Sequence, residues 1–332
     1  MANYKDLHGI EIKHRSSDPP SPIEGEIWYN TTTQTLKLAP KVGAFSSGGS
    51  INTARSQLAG AGTQTAGVIW GGTPGTISSN TSGNKTEEYD GTSWTNVNNK
   101  SNKKRQQSGF GILTAAVDFG GYHDPAGYQN TCEEYDGTNW TSGGNYISTI
   151  SNGNGSGAGT LTTGFNCQGY TPDTYTNTSA EYDGSSWTSG NTVPYGAQNS
   201  NATGTQTAVI SFGGYSGTAH VTTAVEYDGT NFTAVTSSPT DGSGVNKSGI
   251  QTAAHFFSGR LGATHATTSL EYDGTNWATS ASVATGRHNS GNTGTSTVND
   301  GFMAGGDVSE TTVYSNTEEF SRAVTVRTAD TS

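Results

Sequence analysis

The chain is poor in most of what gives a protein chemistry of its own. Cysteine occurs twice in 332 residues, as Cys132 and Cys167, too few for a disulfide scaffold and with nothing that requires them to pair. Charged residues make up only 13%, and 27 Asp and Glu outnumber 16 Lys and Arg for a net charge of −11. That balance excludes a general nucleic-acid binder, whose grip on phosphate rests on clustered Lys and Arg. The only basic cluster, Lys100, Lys103, Lys104 and Arg105, reads as a solvated loop. No apolar run approaches the roughly 18 residues of a spanning helix, so no membrane insertion is expected. An N-terminal apolar stretch of signal-peptide type is also missing, and export by that route is not expected. Hydrophobic residues amount to 30% and nowhere recur with the period of a helix.

Glycine is abundant instead, 47 residues set among Ser, Thr and Asn, which suits short strands joined by tight turns. The stretch Glu88-Tyr89-Asp90-Gly91-Thr92-Ser93-Trp94-Thr95 returns at 134–141, 181–188, 226–233 and 271–278. A degenerate copy at Glu319-Phe320 has lost the Asp-Gly. The aromatic positions Tyr89, Tyr135, Tyr182, Tyr227, Tyr272 and Phe320 lie 45 to 48 residues apart, and a period in the forties marks an array of supersecondary units. Each unit shows four strand-like pieces. In the first they are residues 58–63, residues 65–70 ended by Gly71-Gly72, residues 86–89 and residues 93–95. The first piece is small enough to crowd near an axis. Asp-Gly between the last two signals a hairpin, because Gly tolerates the positive φ of a short turn.

Six such units predict an all-β fold, a six-bladed β-propeller. The Tyr and Trp of each hairpin can face one another across the strand pair. One blade is too thin to bury them with the apolar parity of its second strand, so neighbouring blades must sandwich them. Each aromatic buried this way is worth about 2–3 kcal/mol. Cys167 falls where other units carry Trp70, Phe119, Phe212 and Phe257, and reads as a small buried hydrophobe. Residues around Phe45 look like a fourth strand without its first three, and residues 323–327 follow the last third strand. Either could complete blade six; the preferred reading is that the N-terminal piece adds to or closes the last blade, removing an exposed edge.

Residues 1–41 differ from residues 42–332, the predicted propeller, and hold four of the nine prolines. Ile10-Glu11-Ile12-Lys13-His14 alternates like a strand, and residues 15–22 read as an extended linker. Ile27, Trp28 and Tyr29 on one side of a polar 31–34 turn, with Leu36 and Leu38 on the other, form a β-hairpin. An isolated hairpin is marginal in water, so this one packs on the body of the protein or attaches it to a larger assembly.

No catalytic, cofactor-binding or metal-binding residues are expected. Catalysis needs one tuned acid–base pair, whereas a turn needs its Asp in every copy. The acidity is accordingly read as solvated strand ends. Seven histidines, His8, His14, His123, His220, His255, His265 and His288, show no metal-ligand spacing, with His255 a packed strand residue. Arg55, Arg105 and Arg287 hold roughly equivalent places before the first strands of their blades. They either satisfy carbonyls and acidic neighbours or, with Tyr122 and Tyr128 of the non-repeating loop 122–128, line a recognition rim.

The Gly-Gly pair, the Glu-Tyr-Asp turn and the downstream Trp, repeated over about residues 43–326, resemble the kelch-repeat propellers. Residues 47–55 and 58–67, and the leader Pro22-Ile23-Glu24-Gly25-Glu26-Ile27-Trp28-Tyr29-Asn30-Thr31-Thr32, are similar to segments of proteins encoded by marine tailed bacteriophages, the leader to those near the N-termini of tail fibres and virion proteins. The resemblance implies a virion structural protein, made in the host cytoplasm and displayed on the particle. Residues 1–41 would be its attachment arm to capsid or tail proteins. The alternative is an adhesin whose inter-blade loops bind a host glycan or protein.

Overall fold

The computed structural model describes residues 12–75, 83–151, 156–261, 264–294, 296–309 and 312–329. His8, Ile10 and Glu11 of the sequence reading lie outside them. All regular structure among the described residues is strand, in two compact units: Met1–Ala44 with Ser321–Ser332, and Phe45–Phe320.

In the smaller unit the expected hairpin is present as Ile27–Asn30 and Thr35–Leu38, with Tyr29 opposite Leu36. Gln34 takes a φ of 55° at the turn, and Asn30 Oδ1 accepts the backbone N–H groups of Thr32 and Thr33 at 3.0 Å. Lys13–Arg15 adds in parallel at one edge, and the C-terminal Arg327–Thr328 adds at the other. The arm thus shares its sheet with the far end of the chain, a pairing that no local pattern announces. Asp18 fastens the linker to the hairpin by accepting from Asn30 Nδ2 at 2.9 Å and Trp28 Nε1 at 3.1 Å.

The larger unit is the propeller. Blade one runs from Ala59–Thr63 at the axis through Ala66–Trp70 and Thr86–Tyr89 to Trp94–Asn96 outermost. Blades two to five repeat this order from Ser108–Ile112, Gly157–Thr160, Asn201–Thr205 and Asn246–Ile250. Blade six takes Gly291–Asn292, Asp300–Ala304 and Thr317–Val324 from the C-terminal end and receives Lys41–Gly48 as its outermost strand. The N-terminal piece therefore closes the ring, as expected.

Innermost strands contact one another in succession around the axis. Their small residues are required there, since a Cβ on Gly60 would lie 2.6 Å from the Asn292 carbonyl oxygen. Lys247 of blade five reaches over to donate to the Gly157 carbonyl of blade three at 2.5 Å.

Six buried apolar clusters fill the blade interfaces. Trp70 meets Trp140 with ring centroids 5.2 Å apart, and Phe119 meets Trp187 at 4.6 Å. Phe165 stacks on Tyr227 at 4.8 Å, and Phe212 meets Trp277 at 5.0 Å. His255 packs on Phe320 at 4.1 Å, and Phe302 closes the ring on Trp94 at 5.5 Å. A low average hydrophobicity suffices because the aromatics are concentrated at these six seams. Cys132 and Cys167 are both buried and unpaired.

Candidate functional site

Every blade has two ends, and in blades one to five the repeated motif forms the one where the two outer strands turn. In blade one Asp90 Oδ1 accepts the backbone N–H of Thr92 at 2.8 Å and of Ser93 at 2.7 Å. The same pair of bonds recurs at Asp136, Asp183, Asp228 and Asp273, so the aspartate is a turn residue in each copy. These bonds hold all five carboxyls below their ordinary range, Asp183 at about 2. Gly91 sits at φ 91°, and a Cβ there would also press on Thr65 at 3.2 Å. The Glu and Tyr of the motif bind neighbouring blades. Tyr135 donates to Glu88 at 2.6 Å, Tyr227 to Glu181 at 2.6 Å and Tyr272 to Glu226 at 3.0 Å, and Tyr182 donates likewise to Glu134. Tyr89 donates to Glu319 across the closing seam. The acidity of the repeat is thus not only solvated strand ends. These glutamates are inter-blade acceptors, and Glu87, Glu133 and Glu318 beside three of them are buried.

The opposite end of each blade is where the second strand hands over to the third. The second Gly of each pair donates its N–H to the carbonyl of Lys104, Ile150, Ala197, Gly242, Arg287 or Arg55 in the next blade. That pattern aligns Arg55 with Lys104 and Arg287, and shifts Arg105 one place outward. Arg55 is fully buried, 2.9 Å from Glu87, and donates to the carbonyls of Gly71 and Lys85. Arg287 is buried 3.5 Å from Glu318. Both belong to the interior, so neither can line a recognition rim.

Lys100 and Lys104 correct the reading of a solvated basic loop. Both are buried, at 2.7 and 2.8 Å from Asp118, whose other oxygen accepts from Trp70 Nε1 at 2.9 Å. A carboxylate in the middle of a core strand draws these ammonium groups inside, because it cannot be buried unpaired. Burial pushes the Lys100 ammonium down to about 8 against the pull of Asp118.

Arg105 is buried as well, at 7% exposure, but it lies against the rim loop 122–128. It pairs with Asp124 at 3.2 Å and lies over the Tyr122 ring at 4.5 Å. From there a line of half-buried rings crosses three blades. Tyr122 meets Tyr128 at 5.1 Å, Tyr128 meets Tyr170 at 5.6 Å, and Tyr170 meets Tyr175 at 4.9 Å. Tyr175 meets Tyr215 at 5.6 Å, and Tyr215 meets His220 at 5.0 Å. The pairs Tyr122–Tyr128, Tyr170–Tyr175 and Tyr215–His220 close equivalent hairpins in blades two, three and four. In blades five and six Arg260–His265 and Asp307–Val313 stand in those places. Tyr122, Tyr128, Tyr170 and Tyr175 make no hydroxyl hydrogen bond among the described residues, whereas Tyr215 donates to the Gly217 carbonyl at 3.0 Å. Burial raises the Tyr128 and Tyr175 phenols above their ordinary values, so they carry their protons at neutral pH.

No family model and no curated protein sequence matches the chain. Solved structures do match. The structure of YjhT superimposes with a TM-score of 0.65 at 13% identity, over 84% of this chain and 99% of that one. At that identity the likeness is one of fold.

The arc extends the pair Tyr122 and Tyr128 chosen from sequence. Tyr170, Tyr175, Tyr215 and His220 were missed, although Tyr170 and Tyr215 directly follow a Gly-Gly-type pair, as Tyr122 does. In the arm, Trp28 is fully buried and cannot be an attachment contact. Tyr29, Leu36 and Leu38 are half-buried, and Ile27 is exposed. Among the described residues no group of three or more His, Cys, Asp or Glu could hold a metal ion, and no helix could cross a membrane.

Proposed function

We propose that the protein is a bacteriophage virion component, a non-catalytic propeller carried on the particle through its N-terminal unit. The observation that carries this reading is where exposed aliphatic surface lies. Of six exposed large hydrophobic side chains among the described residues, Ile12, Ile23 and Ile27 belong to the small arm unit, with Ile23 73% exposed. Aliphatic surface concentrated in so short a segment gains from association with another protein. The likeness of the leader to phage virion segments supplies the partner class, capsid or tail. The test is a phage encoding Ile23→Ser with Ile27→Ser, its particles purified and analysed by mass spectrometry. Loss of the protein from particles, while the purified variant melts as the wild type does, is the expected outcome. Full incorporation would overturn the attachment role.

The rim arc favours a second reading alongside the first, that the displayed propeller recognises the host surface. Rims where a repeat holds its backbone but varies its side chains are where scaffolds carry recognition. Purified protein that fails to bind host cells would count against it.

A further inference from the structure

Resting on the recognition reading, the arc also specifies what it can take. Its rings contact one another at angles between 47° and 85°, so neighbouring rings offer faces and edges in turn. Four hydroxyls in this row meet no partner among the described residues. In charge the arc is close to balanced. Arg105 is met by Asp124, Arg260 and Asp241 act on His220 with opposite sign, and Asp173 is exposed beside Tyr175. An anionic polymer would find no uncompensated row of cations, which phosphate or sulfate recognition requires. The segments 122–129, 170–175 and 215–220 contain no exposed large aliphatic side chain, leaving no such anchor for the dry centre of a protein interface.

A pyranose has the complementary character, an apolar C–H face for the rings and neutral hydroxyls for the phenols. Six rings over three blades offer more length than one sugar unit can cover. We infer that the rim of blades two to four binds an extended neutral polysaccharide, stacked along Tyr122, Tyr128, Tyr170, Tyr175 and Tyr215.

The experiment is affinity electrophoresis of the full-length protein through gels containing laminarin, mannan or dextran, with alginate as the anionic comparator. At least one neutral polymer should retard the protein more than alginate does. Tyr170→Ala with Tyr175→Ala should raise the apparent Kd at least tenfold. Tyr128→Phe with Tyr175→Phe, which keeps the rings and the hairpins, should weaken binding by a smaller factor. Three results would overturn the inference: no retardation by any neutral polymer, stronger retardation by alginate, or unchanged affinity in the alanine variant. Binding to host cells separates this from failure of the recognition reading. Protein that binds periodate-oxidised cells as well as untreated ones removes the glycan and leaves recognition standing. Protein that binds neither removes recognition itself.

Discussion

Tyr175 and Tyr182 stand at the two ends of one strand in blade three and are used in opposite ways. Tyr182 is fully buried, packs on Trp187 at 5.0 Å, and gives its hydroxyl to Glu134 of the preceding blade. Tyr175 is half-buried, packs on other rim tyrosines, and gives its hydroxyl to no group among the described residues. The first is written into every blade but the last, whereas the second has counterparts in only part of the ring. Closing a ring of six requires each blade to meet the next in the same way, so the outer hairpin is fixed by geometry. The rim hairpin has only to return the chain to the third strand, and its side chains are free to specialise.

The largest effect expected is at the outer end. Tyr182→Ala empties a core site between blades two and three and strands Glu134, so unfolding free energy should fall by about 3–5 kcal/mol. Thermal and denaturant melts measure this. A loss under 1 kcal/mol would mean that the seams are not what holds the ring.

Removing only the oxygen isolates the inter-blade bond. Tyr227→Phe keeps the stack on Phe165 and deletes the donor to Glu181; a bond to a charged acceptor is worth about 1.5–3 kcal/mol. Blade six already carries the corresponding natural change, since Phe320 stands where the other blades have Tyr. Phe320→Tyr would aim a hydroxyl at the place held elsewhere by Glu88 and its equivalents, here Glu271, which already accepts from Ser280. A gain of about 0.5–1.5 kcal/mol is expected. A loss instead would show that Phe45 and His255, packed on Phe320 at 5.0 and 4.1 Å, leave no space for the oxygen.

The two ends also differ in how much of them the sequence disclosed. The outer hairpin was legible because Asp-Gly, Tyr and Trp recur at one spacing and each has a local reason to be there. Ring closure was half legible: Phe45 lacked the strands that should precede it, but residues 323–327 offered a second candidate for the same place. The burial of Lys100 and Lys104 was not legible, because a Lys in a loop is ordinarily solvated, whereas Arg55 and Arg287 do satisfy carbonyls and acidic neighbours, one of the two readings open from sequence. Yet a signal was present. Glu87-Glu88, Glu133-Glu134 and Glu318-Glu319 are doublets in the three blades that carry Arg55, Lys104 and Arg287, while Ala180, Val225 and Leu270 hold the first of those places elsewhere. A second carboxylate in a core strand predicts a partner for it, which is Arg55 for Glu87, Arg287 for Glu318, and the backbone N–H groups of Ser101 and Asn102 for Glu133. The arc was only half legible, since Tyr122 and Tyr128 share one loop, whereas their contacts with Tyr170, Tyr175 and Tyr215 depend on blades set side by side.

The smallest effect expected is the one that separates the two ends most sharply. Tyr175→Phe removes the same atom as Tyr227→Phe, from the same residue type, in the same fold. Because that oxygen has no partner among the described residues, stability should stay within about 0.5 kcal/mol of wild type. The two variants, melted side by side, turn one chemical deletion into a map of what each end is for. If Tyr175→Phe cost as much as Tyr227→Phe, the rim hydroxyls would belong to the scaffold, and the division between a ring that holds and a rim that recognises would fail.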